Sequence, residues 1–327
     1  MPFLSRRRTE IASAPGPARW PPDEGTTWDW APARKGILST CANPACSTAW
    51  LQIWRSRSAP IFEGGWNCSA ECTAERLKLA VARELGGRGA PLEQHRHRVP
   101  LGLLMLEHGW ITGVQLRGAL DSQRAHRDGR LGHWLMVKEG VSEALVARAL
   151  GQQWSCPVLG LEAHDAEVMA PALPRLFVDA FRVLPLRVAA GRLLYLGFED
   201  RPDPVLALAV ERMSGLRVES GLVEGTRFRA AHQRLLEARF PRVELVEAAS
   251  EPVLVRALAR AVERTRPVES RLVRVHDCLW LRLWRRAKSG PLAEVPVVSD
   301  VIATVGLQRE SGMEAAGRSR QTQANRR

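Results

Sequence analysis

The chain has 327 residues, and 47 Lys and Arg against 35 Asp and Glu give a formal net charge of +12. This length is sufficient for two or three domains, and a composition of 45% apolar and 25% charged residues excludes wholesale disorder. No apolar run approaches the roughly 18 residues of a membrane span, and the first ten residues lack the apolar stretch of a secretory signal. The sequence therefore predicts a soluble, cytoplasmic protein with no membrane insertion.

The positive charge is almost entirely arginine, because only four of the 47 basic residues are lysines. Arginine pairs well with phosphate and carboxylate groups, so an anionic partner such as a nucleic acid is one interpretation. The alternative is the composition bias of a GC-rich genome, since the arginines are spread along the chain rather than gathered in one block. Nucleic acid is therefore the less favoured partner.

Both termini lack apolar periodicity. Residues 1–35 are rich in proline and predict a disordered arm, and the polar residues 306–327 predict a disordered tail. Between them the patterns indicate an α+β protein of several domains. Residues 36–87 form a small cysteine-containing domain. Residues 98–240 form a tandem helical-hairpin repeat followed by a small α/β unit, and residues 250–287 form a C-terminal helix plus β-hairpin.

Four of the six cysteines form two close pairs. Cys41 and Cys46 lie in CANPAC, and Cys68 and Cys72 lie in CSAEC. Each pair can supply two thiolates from one tight turn, which is the arrangement of a tetrahedral zinc site. The second pair precedes a predicted helix, whose first N–H groups stabilise thiolate charge. The arrangement resembles a treble-clef zinc finger, and we expect all four cysteines to bind one structural Zn²⁺.

Two alternatives stand beside the zinc site. The four thiols can form disulfides instead, although a cytoplasmic location argues against this. A zinc finger can also dock DNA or protein rather than act only as a structural element. Cys156 and Cys278 are remote from any other cysteine in the sequence, and we expect them to be buried apolar residues outside the metal site.

Residues 100–123 and 130–153 repeat at an offset of thirty, as PLGLLMLEHGWITGVQLRGALDSQ and RLGHWLMVKEGVSEALVARALGQQ. Each copy opens with Leu-Gly, has a short apolar helix, and then breaks at a glycine, Gly109 or Gly140. A second helix follows, capped by Thr112 or Ser142, and each copy closes with glutamine. The pattern predicts a helix–turn–helix hairpin that is duplicated in tandem.

From about residue 98 to residue 239 the sequence resembles the N-terminal domain of type II secretion and type IV pilus ATPases, known as the GspE N-terminal or MshEN domain. The likeness continues past the repeat through CPVLGLEAHD, PALPRLFVDAFRVLPL, GRLLYLGFED and SGLRVE. The resemblance implies a protein partner in secretion or pilus machinery, or among its regulators. It also implies a small α/β unit after the repeat.

In one branch of this family the tandem repeat binds the second messenger cyclic di-GMP. The resemblance implies that the opening Arg-Leu-Gly and the closing glutamine of each copy contact this ligand, that leucines pack on its guanines, and that an aspartate assists. That aspartate corresponds to Asp200 in this sequence, and the neighbouring Glu199 is the alternative residue for the same role. Carried over, the implied ligand residues are Leu101, Gly102, Leu116, Leu120, Gln123, Arg130, Leu131, Gly132, Leu150, Gln153 and Asp200.

Two departures from the family pattern affect this site. The first copy has Pro100 in place of arginine, and proline can neither pair with phosphate nor stack as a cation. Arg98 lies two residues upstream, out of register. In the second copy the glycine comes one position late. The alternative is that these leucines, glycines and glutamines only build the helical hairpins.

Residues 251–286 resemble the opening of the family's ATPase region, but no G-x-x-x-x-G-K-[ST] phosphate loop occurs in the sequence. No nucleophile or paired-carboxylate pattern emerges either, so we expect no enzyme activity. The favoured hypothesis is a non-catalytic regulatory or adaptor protein, with cyclic di-GMP as its implied ligand, in secretion, pilus or motility control. The alternative is a zinc-containing nucleic-acid-binding regulator.

Overall fold

The computed structural model describes residues 41–47, 60–86, 98–162, 164–287, 290–292 and 295–305. The arm predicted before residue 36 and the tail predicted after residue 305 lie outside these residues. Helices and sheets are mixed along the described chain, as the α+β prediction requires. None of the described helices combines the length and the apolar composition needed to cross a bilayer.

The cysteine-containing segment has a two-stranded antiparallel hairpin followed by a helix. These elements are β1 (Ile61–Phe62), β2 (Gly65–Trp66) and α1 (Ala70–Gly86). Arg76 on α1 holds the hairpin against the helix, because its Nη1 donates to the carbonyl oxygens of Phe62 at 2.6 Å and Gly65 at 3.1 Å. The helix and hairpin therefore pack as one unit.

The duplicated sequence forms four helices in the order predicted. They are α2 (Leu101–Glu107), α3 (Gly113–His126), α4 (Leu131–Glu139) and α5 (Glu143–Trp154). The side chain of Thr112, just before α3, accepts from the N–H of Gln115 at 3.2 Å. The side chain of Ser142, just before α5, accepts in the same way from the N–H of Leu145. Gly109 and Gly140 follow the first helix of each copy with φ of 68° and 66°, a conformation that favours glycine. The predicted caps and breaks are confirmed.

The next unit packs four short helices around a three-stranded sheet. Its elements are α6 (Ala166–Met169), α7 (Arg175–Ala180), β3 (Val183–Ala189), β4 (Leu193–Phe198), α8 (Pro204–Ser214), β5 (Arg217–Leu222) and α9 (Gly225–Glu237). The sheet order is β3-β4-β5, with β3 and β4 antiparallel and β4 and β5 parallel. Buried phenylalanines at 177, 198 and 228 fill the space between helices and sheet.

The C-terminal unit is larger than the predicted helix and hairpin. Its elements are β6 (Arg242–Ala248), α10 (Glu251–Thr265), β7 (Glu269–Val275), β8 (Cys278–Trp284) and β9 (Val298–Val305). The helix α10 and the β7–β8 hairpin are where the sequence predicts them. Strands β6 and β9 were missed, and they extend the hairpin to a four-stranded sheet of order β6-β9-β8-β7.

Both faces of this sheet are buried, and side chains alternate between them along β8. Trp280 and Trp284 pack against the unit that contains β3–β5. Leu281 and Leu283 point to the other face, where they share a core with α10 and with Phe62 and other apolar residues of the cysteine-containing segment. The cysteine-containing segment therefore shares an apolar core with the C-terminal sheet, whereas the helices of the repeat have a core of their own.

A buried ion pair lies on the face of the sheet that contacts the β3–β5 unit. Arg282 and Asp300, which are cross-strand neighbours on β8 and β9, form two hydrogen bonds of 2.7 and 2.8 Å. Arg282 also donates to the carbonyl oxygens of Pro171 and Ala172 at 2.9 and 3.1 Å. Because these donors and acceptors satisfy one another, the two charges are accommodated in the interior and join the two units.

Candidate functional site

The structure brings the four paired cysteines together. Their sulfur atoms all lie within 4.8 Å of one another, and Sγ of Cys68 is 3.5 Å from Sγ of both Cys46 and Cys72. Four thiolates bound at about 2.3 Å to a tetrahedral Zn²⁺ are about 3.8 Å apart, so the spacing fits such an ion. A set of four sulfur donors also suits zinc rather than calcium or magnesium. The cluster can hold a metal ion.

Local hydrogen bonds explain how the sequence positions these sulfurs. Asn43 forms a turn between the first two cysteines, since its carbonyl accepts from the N–H of Cys46 at 3.1 Å and its side chain accepts from that of Ala45 at 3.1 Å. Ser69 stands before α1 and accepts from the N–H of Cys72 at 3.2 Å. Cys72 thus lies in the first helical turn, where the helix dipole stabilises a thiolate.

Burial opposes ionisation of two of these thiols when no cation is bound. It raises the pKa of Cys41, and together with the neighbouring thiols it raises the pKa of Cys68 further. A metal ion would reverse this preference, because thiolates bind it and protons are released. Cys156 and Cys278 lie outside the cluster and are half-buried, and burial raises the pKa of each to about 11.

The two closing glutamines of the repeat make equivalent hydrogen bonds. Nε2 of Gln123 donates to the carbonyl of Gly129 at 3.0 Å, and Nε2 of Gln153 donates to the carbonyl of Val99 at 2.8 Å. Gly129 directly precedes the opening of the second copy, and Val99 directly precedes that of the first. The glutamine that closes each copy therefore binds the backbone just before the first helix of the other copy, so the two hairpins are joined by reciprocal hydrogen bonds.

The two repeat glycines allow close packing, chiefly between the two helices of their own copy. A Cβ atom at Gly102 would lie 2.5 Å from Cδ1 of Leu116 in the same copy and 3.0 Å from Cδ2 of Leu131 in the other copy. A Cβ atom at Gly132 would lie 2.9 Å from Cγ1 of Val146 in its own copy and at an ordinary contact distance, 3.8 Å, from Cδ2 of Leu101. These three leucines are half-buried, as are the other implied ligand leucines at 120 and 150. Four of them, Leu101, Leu116, Leu131 and Leu150, pack against the apolar core of the repeat.

The implied arginine and aspartate meet across the boundary between the repeat and the β3–β5 unit. Arg130 forms an ion pair with Asp200. Glu199, the rival for the acidic position, is instead paired with Arg182 at 2.6 Å and Arg229 at 2.8 Å. A surface depression of about 190 Å³ lies at this point. It is lined by Arg130, Ala180, Phe181, Arg182, Phe198, Glu199, Asp200 and Arg201.

Trp154 and two arginines form a cluster that the sequence pattern does not predict. The guanidinium of Arg98 lies 3.3 Å from the centre of the Trp154 ring, and that of Arg201 lies 5.7 Å from the same ring. Trp154 follows Gln153 in the sequence, and Arg201 follows Asp200. No local pattern predicts this contact, because it joins residues more than 45 positions apart in the chain. The signal in the sequence is that Trp154 and Arg201 are each adjacent to an implied ligand residue.

No family model matches the sequence, and no curated protein matches it. Among solved structures, the chain is similar to MshE with cdg, at 26% identity and a TM-score of 0.35 over 42% of this chain and 99% of that one. It is also similar to the N-terminal domain of XpsE, at 21% identity and a TM-score of 0.29 over 42% of this chain and 91% of that one. A second crystal form of that domain gives 20% identity and a TM-score of 0.23. Since every TM-score is below 0.5, the case for a function rests on the residues of this chain.

Proposed function

We propose that the chain is a non-catalytic regulatory or adaptor protein related to the N-terminal domains of type II secretion and type IV pilus ATPases. In this proposal residues 98–240 bind cyclic di-GMP, and the four-cysteine cluster holds a structural Zn²⁺. Binding of the nucleotide signals to a protein partner in secretion, pilus or motility control. MshE, one of the similar solved structures, was solved with cdg.

The observation that supports a nucleotide site is the meeting of Arg130 and Asp200 at the surface depression. The Arg130 side chain is 73% exposed and that of Asp200 is 42% exposed. An exposed ion pair contributes only about 0–1 kcal/mol. Arg130 can therefore exchange its carboxylate partner for a ligand phosphate at little cost. Asp200 would then accept from the N–H groups of a guanine edge, a role suited to an ionised carboxylate.

The proposal assigns zinc a structural role. Cys41, Cys68 and Cys72 are buried, and the cluster lies where the turn between Cys41 and Cys46, the β1–β2 hairpin and α1 meet. A bound ion would fix these three pieces of chain in place. Such an ion would have all four positions filled by sulfur, which leaves none open for a water or substrate.

The proposal includes no catalytic step by this chain. Its sequence has no G-x-x-x-x-G-K-[ST], so backbone N–H groups and a lysine are not gathered to bind the phosphates of ATP. The single Lys-Ser pair, at positions 288 and 289, follows Arg-Arg-Ala rather than a glycine loop. In this proposal cyclic di-GMP acts as a signal.

Calorimetric titration of the zinc-loaded chain with cyclic di-GMP tests the nucleotide site. Arg130→Ala is expected to weaken binding about ten- to a hundredfold, because a hydrogen bond to a charged group contributes about 1.5–3 kcal/mol. The matched control is Arg124→Ala, since that arginine is also on the repeat, 77% exposed and paired with Asp121 at 3.5 Å. The control should bind as tightly as the wild type.

Pro100→Arg restores the family residue at the first copy and is expected to tighten binding. If the wild type shows no heat of binding at near-millimolar ligand while Pro100→Arg gains it, the domain has lost the ligand and serves as a docking module. Absence of binding by both proteins would overturn the nucleotide site. In that case the repeat is a structural hairpin pair.

A further inference from the structure

Arg98 has an incomplete set of partners in the structure. Its guanidinium stacks on the ring of Trp154, and its Nη1 atom is buried without a hydrogen-bond partner in the described part of the chain. A buried donor without an acceptor is unfavourable, and more so when the group is charged. An acceptor at this position would remove that cost.

A second arginine, Arg201, lies over the same indole ring and makes the position of Arg98 less favourable. Burial and the nearby positive charge of Arg201 both lower the pKa of Arg98. Within the described ranges neither guanidinium is within 4.0 Å of a carboxylate, whereas the neighbouring Asp200 is occupied by Arg130. Two like charges near one indole ring, with no anion supplied by these residues, create a local preference for an anionic ligand.

The arginine pair is continuous with the proposed nucleotide site. Gln153 binds the carbonyl of Val99, so the backbone next to Arg98 is fixed against the end of α5. Arg201 lines the same surface depression as Arg130. An anion bound between the two arginines would therefore be next to a ligand held at the Arg130 side of that depression.

We propose that Arg98 and Arg201, held over Trp154, bind a phosphate group of the nucleotide, and that Arg98 supplies the guanidinium that Pro100 cannot. This inference rests on the proposed function. Guanidinium groups donate in pairs to phosphate oxygens, and stacking on an indole ring limits the motion of the group before the ligand arrives. The ligand that this site takes is a phosphodiester or phosphate anion.

The first experiment measures cyclic di-GMP affinity by calorimetry for Arg98→Gln and Arg201→Gln. Each is expected to lose about tenfold or more in affinity, the loss of one charge-assisted hydrogen bond. The matched control is Arg148→Gln, because Arg148 also stacks on a tryptophan of the repeat, at 4.8 Å from the ring of Trp110. The control should change affinity by less than twofold.

The second experiment asks whether Arg98 substitutes for an arginine at position 100. Introducing Pro100→Arg into the Arg98→Gln variant should restore most of the lost affinity, while the same change in the wild type should gain less. Such non-additivity is expected when two residues contact the same group. Additive effects in this cycle would contradict the substitution.

Thermal denaturation of Arg98→Gln distinguishes a ligand-binding role of Arg98 from a purely structural role of its contact with Trp154. If Arg98→Gln lowers the melting temperature but leaves the affinity for cyclic di-GMP unchanged, Arg98 only fastens the chain to α5 and the phosphate role is wrong. The proposed function would survive that result, because wild-type binding and its dependence on Arg130 would be unaffected. The two proposals therefore fail separately.

A third arm applies a probe that needs no guanine. Inorganic pyrophosphate is titrated into the full chain while NMR follows the arginine Nε–Hε signals, assigned through the glutamine variants. The signals of Arg98 and Arg201 should shift, and that of Arg148 should not. Shifts without cyclic di-GMP binding would support the phosphate site and reject the guanine nucleotide. If neither probe moves the two signals, the phosphate site is overturned.

Discussion

Glu84 on α1 offers the sharpest test of how the cysteine-containing segment is joined to the remainder of the protein. Its side chain is 4% exposed and forms hydrogen bonds of 2.5 and 3.0 Å to Arg212 on α8. It also accepts from the backbone N–H of Arg274 on β7 at 3.0 Å, and from Nε of Arg83 at 3.0 Å. One carboxylate thus connects α1 to two other units.

We expect Glu84→Ala to lower the free energy of unfolding by about 3 kcal/mol. Removing one partner of a buried ion pair costs about 3–5 kcal/mol, because the remaining charge loses its compensation. Here the side chain of Arg212 is 15% exposed and that of Arg83 is 40% exposed. Water can therefore reach both cations in part, which places the cost at the lower end of this range.

The measurement is urea denaturation followed by tryptophan fluorescence, with Zn²⁺ in excess so that the occupancy of the proposed site is the same in every variant. Glu75→Ala is the control, because Glu75 is on the same helix but 55% exposed and 4.0 Å from Lys78. It should cost no more than about 0.5 kcal/mol. If Glu84→Ala costs as little as the control, α1 is not joined to α8 and β7 as described. Glu84→Gln keeps the shape should the alanine variant fail to fold.

Three further outcomes follow from particular contacts. Burial alone would raise the pKa of Glu84, but its arginine partners and the backbone N–H of Arg274 lower it overall. The ionised Glu84 therefore stabilises the folded protein above the unfolded pKa of about 4.3, and this contribution is lost as the pH falls. Glu84→Gln should thus make the folding stability, measured by urea titration, depend less on pH on the acid side. Gly102→Ala should cost about 1–3 kcal/mol because its Cβ would lie 2.5 Å from Leu116, whereas Gly113→Ala, with nothing within 4 Å, should be neutral in the same thermal melts. Cys68→Ser, or removal of metal with a chelator, should lower the unfolding midpoint of the C-terminal sheet as well as the cysteine-containing segment, and metal analysis that finds no zinc in the purified protein would contradict the site.

Features set by nearby residues were predictable from the sequence. A short turn separates the two cysteines of each pair. The second helix of each repeat copy is capped by Thr112 or Ser142, and the first helix is followed by a glycine. The β7–β8 hairpin likewise follows from two alternating segments on either side of a His-Asp turn. Each of these depends on interactions within a few positions, where residue type and spacing determine the conformation.

The missed features depend on contacts between distant residues. Strand β9 contains Asp300, a residue that is unfavourable in a buried strand unless a partner neutralises it. That partner is Arg282, on a different strand, and the pairing becomes visible only when the register of β8 and β9 is known. Strand β6 pairs in parallel with β9 across more than 50 residues of chain, which no local pattern encodes. The shared core of α1 and the sheet was missed for the same reason.

Proline at position 100 gives the first copy a different chemistry from the second copy on an equivalent stretch of backbone. Pro100 precedes α2 with φ −54° and ψ 137°, and Arg130 precedes α4 with φ −94° and ψ 156°, so both openings are extended and in equivalent positions. The glutamine bonds to the residues before them are also equivalent. Arginine can adopt the conformation of Pro100 without strain. Because the backbone frame is retained, a gain of affinity in Pro100→Arg would report the added guanidinium itself, and the interaction of that gain with Arg98→Gln would show whether a second arginine already serves this position.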